Sequence, residues 1–260
     1  MRNIAIIYAL TAITLLSFSS QVSAQDYKLK KVVIDAGHGG RDPGTHGKFT
    51  KEKDLVLKVA LKVGGYIEKY IPDVEVIYTR KDDSFPTLNE RAKLANDKEA
   101  DVFISIHANA LSRASVHGTE TYVMGVQNSG RNFEVAKREN SVILLEDDYK
   151  EQYEGFDPGS TESYIMFSVM NSTFNESSLL LASNVEKQFK DRVGRKSLGV
   201  KQSSLYLMWA TAMPSVLVEI GYLTNEKEEK ELNDPKTQDY IASGIFRAFR
   251  DYKEQIESIN

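Results

Sequence analysis

Apolar residues recur along the chain in two rhythms, short runs and helical stripes, and the two alternate. Five runs rich in Val, Ile, Tyr and Thr read as strands: Lys31–Ala36, Val74–Thr79, Val102–His107, Thr119–Met124 and Ser215–Ile220. Between them lie stretches whose apolar positions fall three or four apart, the spacing of one helix face. Lys53–Tyr70 carries Leu55, Val56, Val59, Ala60, Val63 and Ile67 in this way. Thr87–Asn96 does so with Leu88, Ala92 and Ala95, and Glu176–Val193 with Leu179, Leu180, Ala182, Val185 and Phe189. A last helix is predicted over about 235–256, with Ile241, Ile245, Phe246 and Phe249 inward. Such alternation predicts an α/β fold: a single domain with a mostly parallel twisted sheet flanked by helices on both faces.

Two stretches break the rhythm. Residues 1–24 begin with Arg2, run apolar from Ile4 to about Phe18 and end in Val22-Ser23-Ala24. This reads as a signal peptide cleaved after Ala24, the apolar run being short for a membrane span. The expected product is an exported chain, 25–260, in the periplasm or cell envelope. The second break is an insertion at about 127–174, polar and charged, with "LEDDYKEQYEGFDPGST" at its centre. It is long for a plain connection, and segments of that kind are usually functional or mobile. Part of it, Asn132–Leu145, has a helical pattern.

Charge and composition narrow the function. Lys and Arg total 33 against 37 Asp and Glu, a net charge of −4, which gives no basic excess for nucleic acid. Cysteine is absent, so the expected exported chain has neither a disulfide framework nor a lipidated cysteine. No apolar stretch beyond the signal segment is long enough to span a membrane, so none is expected in the mature chain.

The candidate chemistry lies where strands end. "VVIDAGHGGRDPGTHG" (32–47) passes from an apolar run into a glycine-rich loop holding His38, and "DVFISIHANA" (101–110) ends its run at His107. In a parallel sheet both ends fall on one edge, so the two imidazoles can meet there although 69 positions separate them. Two histidines invite Zn²⁺, which takes nitrogen and carboxylate ligands. Glu52, at the start of the helix after the loop, is placed to be the third ligand and leaves the fourth position to water. His46 and His117 read better as peripheral. In "PSVLVEIGYLTN" (214–225), Glu219 is a carboxylate in an apolar strand. Burying it is costly unless it is paired. The residues leave two readings open, a structural partner for an arginine or a functional base with a raised pKa.

Six pieces in order, "VVIDAGHGGRDPGTHG", "KEKDLVLKVA", "YTRKDDSFPTLNERAKLAN", "SIHANA", "HGTETYVM" and "PSVLVEIGYLTN", resemble the zinc-dependent N-acetylmuramoyl-L-alanine amidases of type 3. The resemblance runs from Lys31 to the C-terminus. It implies a hydrolase of bacterial peptidoglycan with one Zn²⁺ on His38, Glu52 and His107 and with Glu219 as the catalytic carboxylate. The bond cut would be the amide between the lactyl group of N-acetylmuramic acid and L-Ala, in wall remodelling or daughter-cell separation. Asp35 and Asn109 are candidates to orient the ligands or the substrate, with strand-end capping the competing role for Asp35. Arg80 and Arg91 read as ties between loops, with a grip on stem-peptide carboxylates the lesser alternative for each. In several family members the inserted region covers the site until a protein activator displaces it. Here Glu134, Glu139, Glu146 and Glu151 are the acids that such a cover could bring to the metal. Two other classes stay open: a zinc amidase or peptidase on a different amide, and a non-catalytic wall-binding regulator.

Overall fold

In the computed structural model, residues 27–125, 130–147, 149–153, 156–164 and 173–259 are described. The expected signal segment lies outside them. In chain order the elements are β1 (Lys31–Ala36), α1 (Glu52–Tyr70), β2 (Glu75–Tyr78), α2 (Leu88–Asp97), β3 (Val102–Asn109), β4 (Thr119–Met124), α3 (Gly130–Asn140), α4 (Tyr149–Gln152), α5 (Asn175–Gln188), β5 (Ser197–Ser203), α6 (Tyr206–Ala210), β6 (Ser215–Tyr222), α7 (Glu226–Asn233) and α8 (Pro235–Ile259). The strands form one sheet in the order β2-β1-β3-β6-β4-β5. All neighbours are parallel except β4 and β6.

Both faces of the sheet are covered, which is why its strands read as apolar runs rather than as clean alternation. Val32 and Ile34 of β1 turn to one face, where Val59 and Val63 of α1, Val185 of α5 and Ile245 and Phe249 of α8 pack. Val33, Phe103 and Leu217 turn to the other, against Leu88 and Ala92 of α2, Val135 of α3 and Leu207 of α6. The predicted strands and helices all form, with ends shifted by a few residues. The last predicted turn of α5 is a π-turn over Phe189–Val193.

Outside the insertion, three elements had no counterpart in the pattern. β5 is a half-buried edge strand containing Gly199 and Lys201, so its apolar alternation is broken. α6 is a single buried turn, too short for periodicity. α7, "EKEEKELN", is nearly all charged; it is capped by the Asn225 side chain, which accepts the N–H of Glu228. Within the insertion, α3 runs over Gly130–Asn140 and continues as a 3₁₀ turn to Leu145.

Candidate metal centre and hydrolytic site

The site lies at the carboxyl edge of β1, β3 and β6. Register explains the meeting of distant residues. His107 of β3 pairs with Glu219 of β6, and Glu219 pairs with Glu120 of β4. Paired residues on adjacent strands share a face, so three chemical side chains stand in one row on the side covered by α2, α3 and α6.

His38 reaches the row from the loop after β1. Its backbone is left-handed, with φ 60°, a conformation costly for a non-glycine residue and typical of functional turns. Gly37 leaves space for the second imidazole: a Cβ there would lie 2.4 Å from His107 Nε2. The two rings sit edge to face with centroids 4.8 Å apart. His38 Nδ1 is 2.6 Å from Asp42 Oδ2, which orients the ring and leaves Nε2 to face the cluster. Glu52, the first residue of α1, is fixed by the N–H groups of Thr45 and Ala108, which donate to Oε2 and Oε1. Its Oε1 is 3.0 Å from His38 Nε2 and 3.2 Å from His107 Nδ1.

A fourth group closes the cluster. Glu139 of α3 places Oε2 2.9 Å from His107 Nδ1 and 3.6 Å from His38 Nε2. His38 Nε2, His107 Nδ1 and Glu139 Oε2 are buried, yet none forms a hydrogen bond of acceptable geometry. They crowd together without aiming at one another, as ligands do around a common centre. The charges agree. Burial works against protonated imidazoles, but Glu52 and Asp42 raise His38 to about 9, and Glu139 and Glu52 raise His107 well above its usual value. The carboxylates thus favour positive charge where the two imidazoles meet. Nitrogen and carboxylate donors of this kind suit Zn²⁺.

Glu219 is fully buried, and burial pushes its carboxyl up to about 8 against the opposing pull of Arg138. Its Oε2 has no hydrogen-bond partner, while Oε1 lies 3.2 Å from Arg138 Nη2 on α3. Arg138 also donates to Glu139 Oε1 and to the carbonyl of Ala110. The helix therefore lies across the whole site. The cavity left beside His38, His107 and Glu139 is about 20 Å³, room for one water and not for a peptide.

Of the four insertion acids, Glu139 is the one brought to the histidines. Glu134 and Glu151 are exposed, and Glu146 accepts from the Tyr153 hydroxyl and, weakly, from the N–H of Leu88. Asp35 makes no direct contact with the histidines. Its carboxylate takes Arg91 Nη1 at 2.6 Å and the hydroxyls of Thr79 and Ser105. Arg91 continues to the carbonyls of Ala36 and His38, and Arg80 donates to those of Ala36, Gly37, Lys53 and Asp82, so both arginines staple the loop that carries His38. Asn109 donates to Glu120. Asp42, Arg138 and Glu120 went unnoticed in the sequence.

Burial raises the Asp35 carboxyl, but Arg91, Ser105 and Thr79 outweigh it and hold the group below its ordinary 3.8. Its contribution to stability is therefore complete above that pH and is lost as pH falls further. Asp35→Asn leaves a buried arginine unpaired and is expected to cost about 3–5 kcal/mol in a denaturant titration at neutral pH.

A sheet-edge cluster of this chemistry, with a desolvated carboxylate beside it, belongs to a hydrolase. Residues 32–251 match the family model for N-acetylmuramoyl-L-alanine amidase, and the chain belongs to that family, the type 3 amidases. It is 30% identical over 219 residues to the amidase AmiA of Escherichia coli K12, covering 82% of this chain and 73% of AmiA. Among solved structures it resembles an N-acetylmuramoyl-L-alanine amidase from Clostridium difficile 630, with 28% identity, 88% of this chain and 98% of that one covered, and a TM-score of 0.65. The CwlD amidase of Clostridioides difficile, solved in complex with the GerS lipoprotein, matches with 26% identity, coverages of 87% and 99%, and the same TM-score of 0.65. The protein is accordingly a hydrolase of peptidoglycan.

Proposed function

We propose that this chain is an exported, zinc-dependent amidase that cuts the bond between the lactyl group of N-acetylmuramic acid and L-Ala, in wall remodelling or daughter-cell separation. His38, Glu52 and His107 hold the metal, and Glu219 is the catalytic carboxylate. The observation that carries this reading is the convergence of His38 Nε2 and His107 Nδ1 on Glu52 Oε1, at 3.0 and 3.2 Å, one strand from a buried carboxylate. Bound Zn²⁺ supplies a Lewis acid for the amide carbonyl and lowers the pKa of water. Glu219 takes the proton of the attacking water as it adds to the carbonyl carbon. It then gives that proton to the nitrogen as the C–N bond breaks, releasing a lactyl carboxylate and the free amine of L-Ala.

Helix α3 is the resting cover. Glu139 occupies the open side of the histidines and Arg138 neutralises the base, so substrate enters only when the helix leaves. A protein activator is the agent we assign to that step; CwlD in its complex with a lipoprotein shows that a relative of this fold takes a protein partner.

Mass analysis of fragments released from purified peptidoglycan tests the reaction. The expected products are stem peptides with a free L-Ala amine and glycan with a free lactyl carboxylate. Fragments cut within the peptide, or none from a chain whose α3 has been released, would point to another amide or to a wall-binding role.

A further inference from the structure

Glu120 is a fully buried carboxylate that the reaction does not use. It stands in the row His107–Glu219–Glu120, one strand beyond the base. Its Oε2 accepts from the hydroxyls of Tyr122 and Tyr222 and from the Asn109 amide. These three donors belong to the sheet and stay when α3 leaves. Its only ion-pair partner among the described residues is Arg131, which closes on Oε1 from the first turn of α3. Arg131 is about a third exposed while Glu120 has no exposure, so the guanidinium stands between the carboxylate and solvent. Arg131 and Arg138 are seven residues apart, on one stripe of the helix, and reach the two neighbouring carboxylates.

Opening the site by departure of α3 therefore strips a buried carboxylate of its cation. Leaving one member of such a pair alone is strongly unfavourable, so the open cleft has a place for a positive group. The position of that place decides which group. Two strand spacings separate Glu120 from His107, about 10 Å. An extended peptide covers that distance in about three residues. A stem peptide held with its first amide at the histidines and laid across the strands toward β4 brings its third residue, a diamino acid in peptidoglycan, to Glu120. The amine freed by cleavage stays beside Glu219, too near to be the cation in question.

We propose that Glu120 is a specificity-determining residue of the opened cleft: it receives the side-chain ammonium of the diamino acid at the third position of the stem peptide, the place that Arg131 fills at rest. This rests on the amidase reading and on the departure of α3.

The test uses the full zinc-loaded chain and two soluble muramyl-tripeptide fragments, one with the third residue's side-chain amine free and one with it acetylated. In Glu139→Ala, used as the opened form, the KM for the free-amine fragment should be about tenfold lower, the worth of one charge-assisted contact. Adding Glu120→Gln should bring the two KM values together and leave kcat within about twofold, whereas a structural defect would shift both fragments alike. Arg131→Ala, which keeps Glu120, should retain the preference; its loss there, or its persistence in Glu120→Gln, overturns the proposal. The ratio of equilibrium affinities measured on Glu219→Gln gives the same decision without turnover. If Glu139→Ala is no faster than the parent while the preference holds, Glu139 is not what keeps α3 in place and Glu120 stands. If the fragments are bound with the preference but not cut, the amidase reading fails instead.

Discussion

Glu219→Gln is expected to retain its zinc and its fold and to lose about 10²–10⁴ in kcat, the usual worth of a positioned acid–base group. The reasons are local. Glu219 sits on β6 in register with His107, wholly buried, with one carboxylate oxygen unpartnered. A glutamine has the same shape and fills the same space, so the core of β6 is kept, but it cannot take a proton from water. The substitution also removes the charge that Arg138 faces on α3. That change loosens the cover and favours substrate entry, so lost turnover cannot come from a tighter lid. Peptide release measured beside zinc content separates the two roles: equal activity in the variant would remove Glu219 as the base, and lost zinc would make it a ligand.

The opposite change is expected from α3. Arg138→Ala together with Glu139→Ala should raise basal release from peptidoglycan by tenfold or more, since each deletes a charged contact and about 1.4 kcal/mol is a factor of ten in the open population. Both side chains come from a helix that is otherwise moored by the Arg131–Glu120 ion pair and by neutral contacts. Asn132 donates to the Gln202 carbonyl, and Asn140 bridges Ser204 and Tyr206. The double variant therefore keeps its fold while losing its hold on the histidines and the base. Initial rates of peptide release decide the matter. A double variant no faster than the parent would mean that α3 forms a wall of the substrate groove and not a cover.

Much of this was legible in the sequence, and the exceptions have physical reasons. The strands of the sheet's centre are buried on both faces, so their apolar runs announce themselves. β5 lies at the edge, half exposed, and a strand with one partner and a glycine leaves no such trace. The meeting of His38 and His107 followed from two runs that end in histidine, because parallel strands put their carboxyl ends on one edge. Asp42 did not follow. Its pairing with His38 depends on the left-handed backbone at His38, which no spacing encodes. Four insertion acids looked alike along the chain. The register of α3 on the sheet is what directs Glu139 inward and leaves Glu134 in solvent. The partners of Arg131 and Arg138 lie 11 and 81 positions away in the chain, and the charges alone read as a solvated helix face.

The most direct test of the central claim is peptide release by the chain from purified peptidoglycan, followed with its zinc content, before chelation, after it and after zinc is restored. The account predicts one zinc per chain, release that vanishes with the metal and returns with it, and no return in His38→Ala or His107→Ala. Full release from a chain stripped of metal would contradict it.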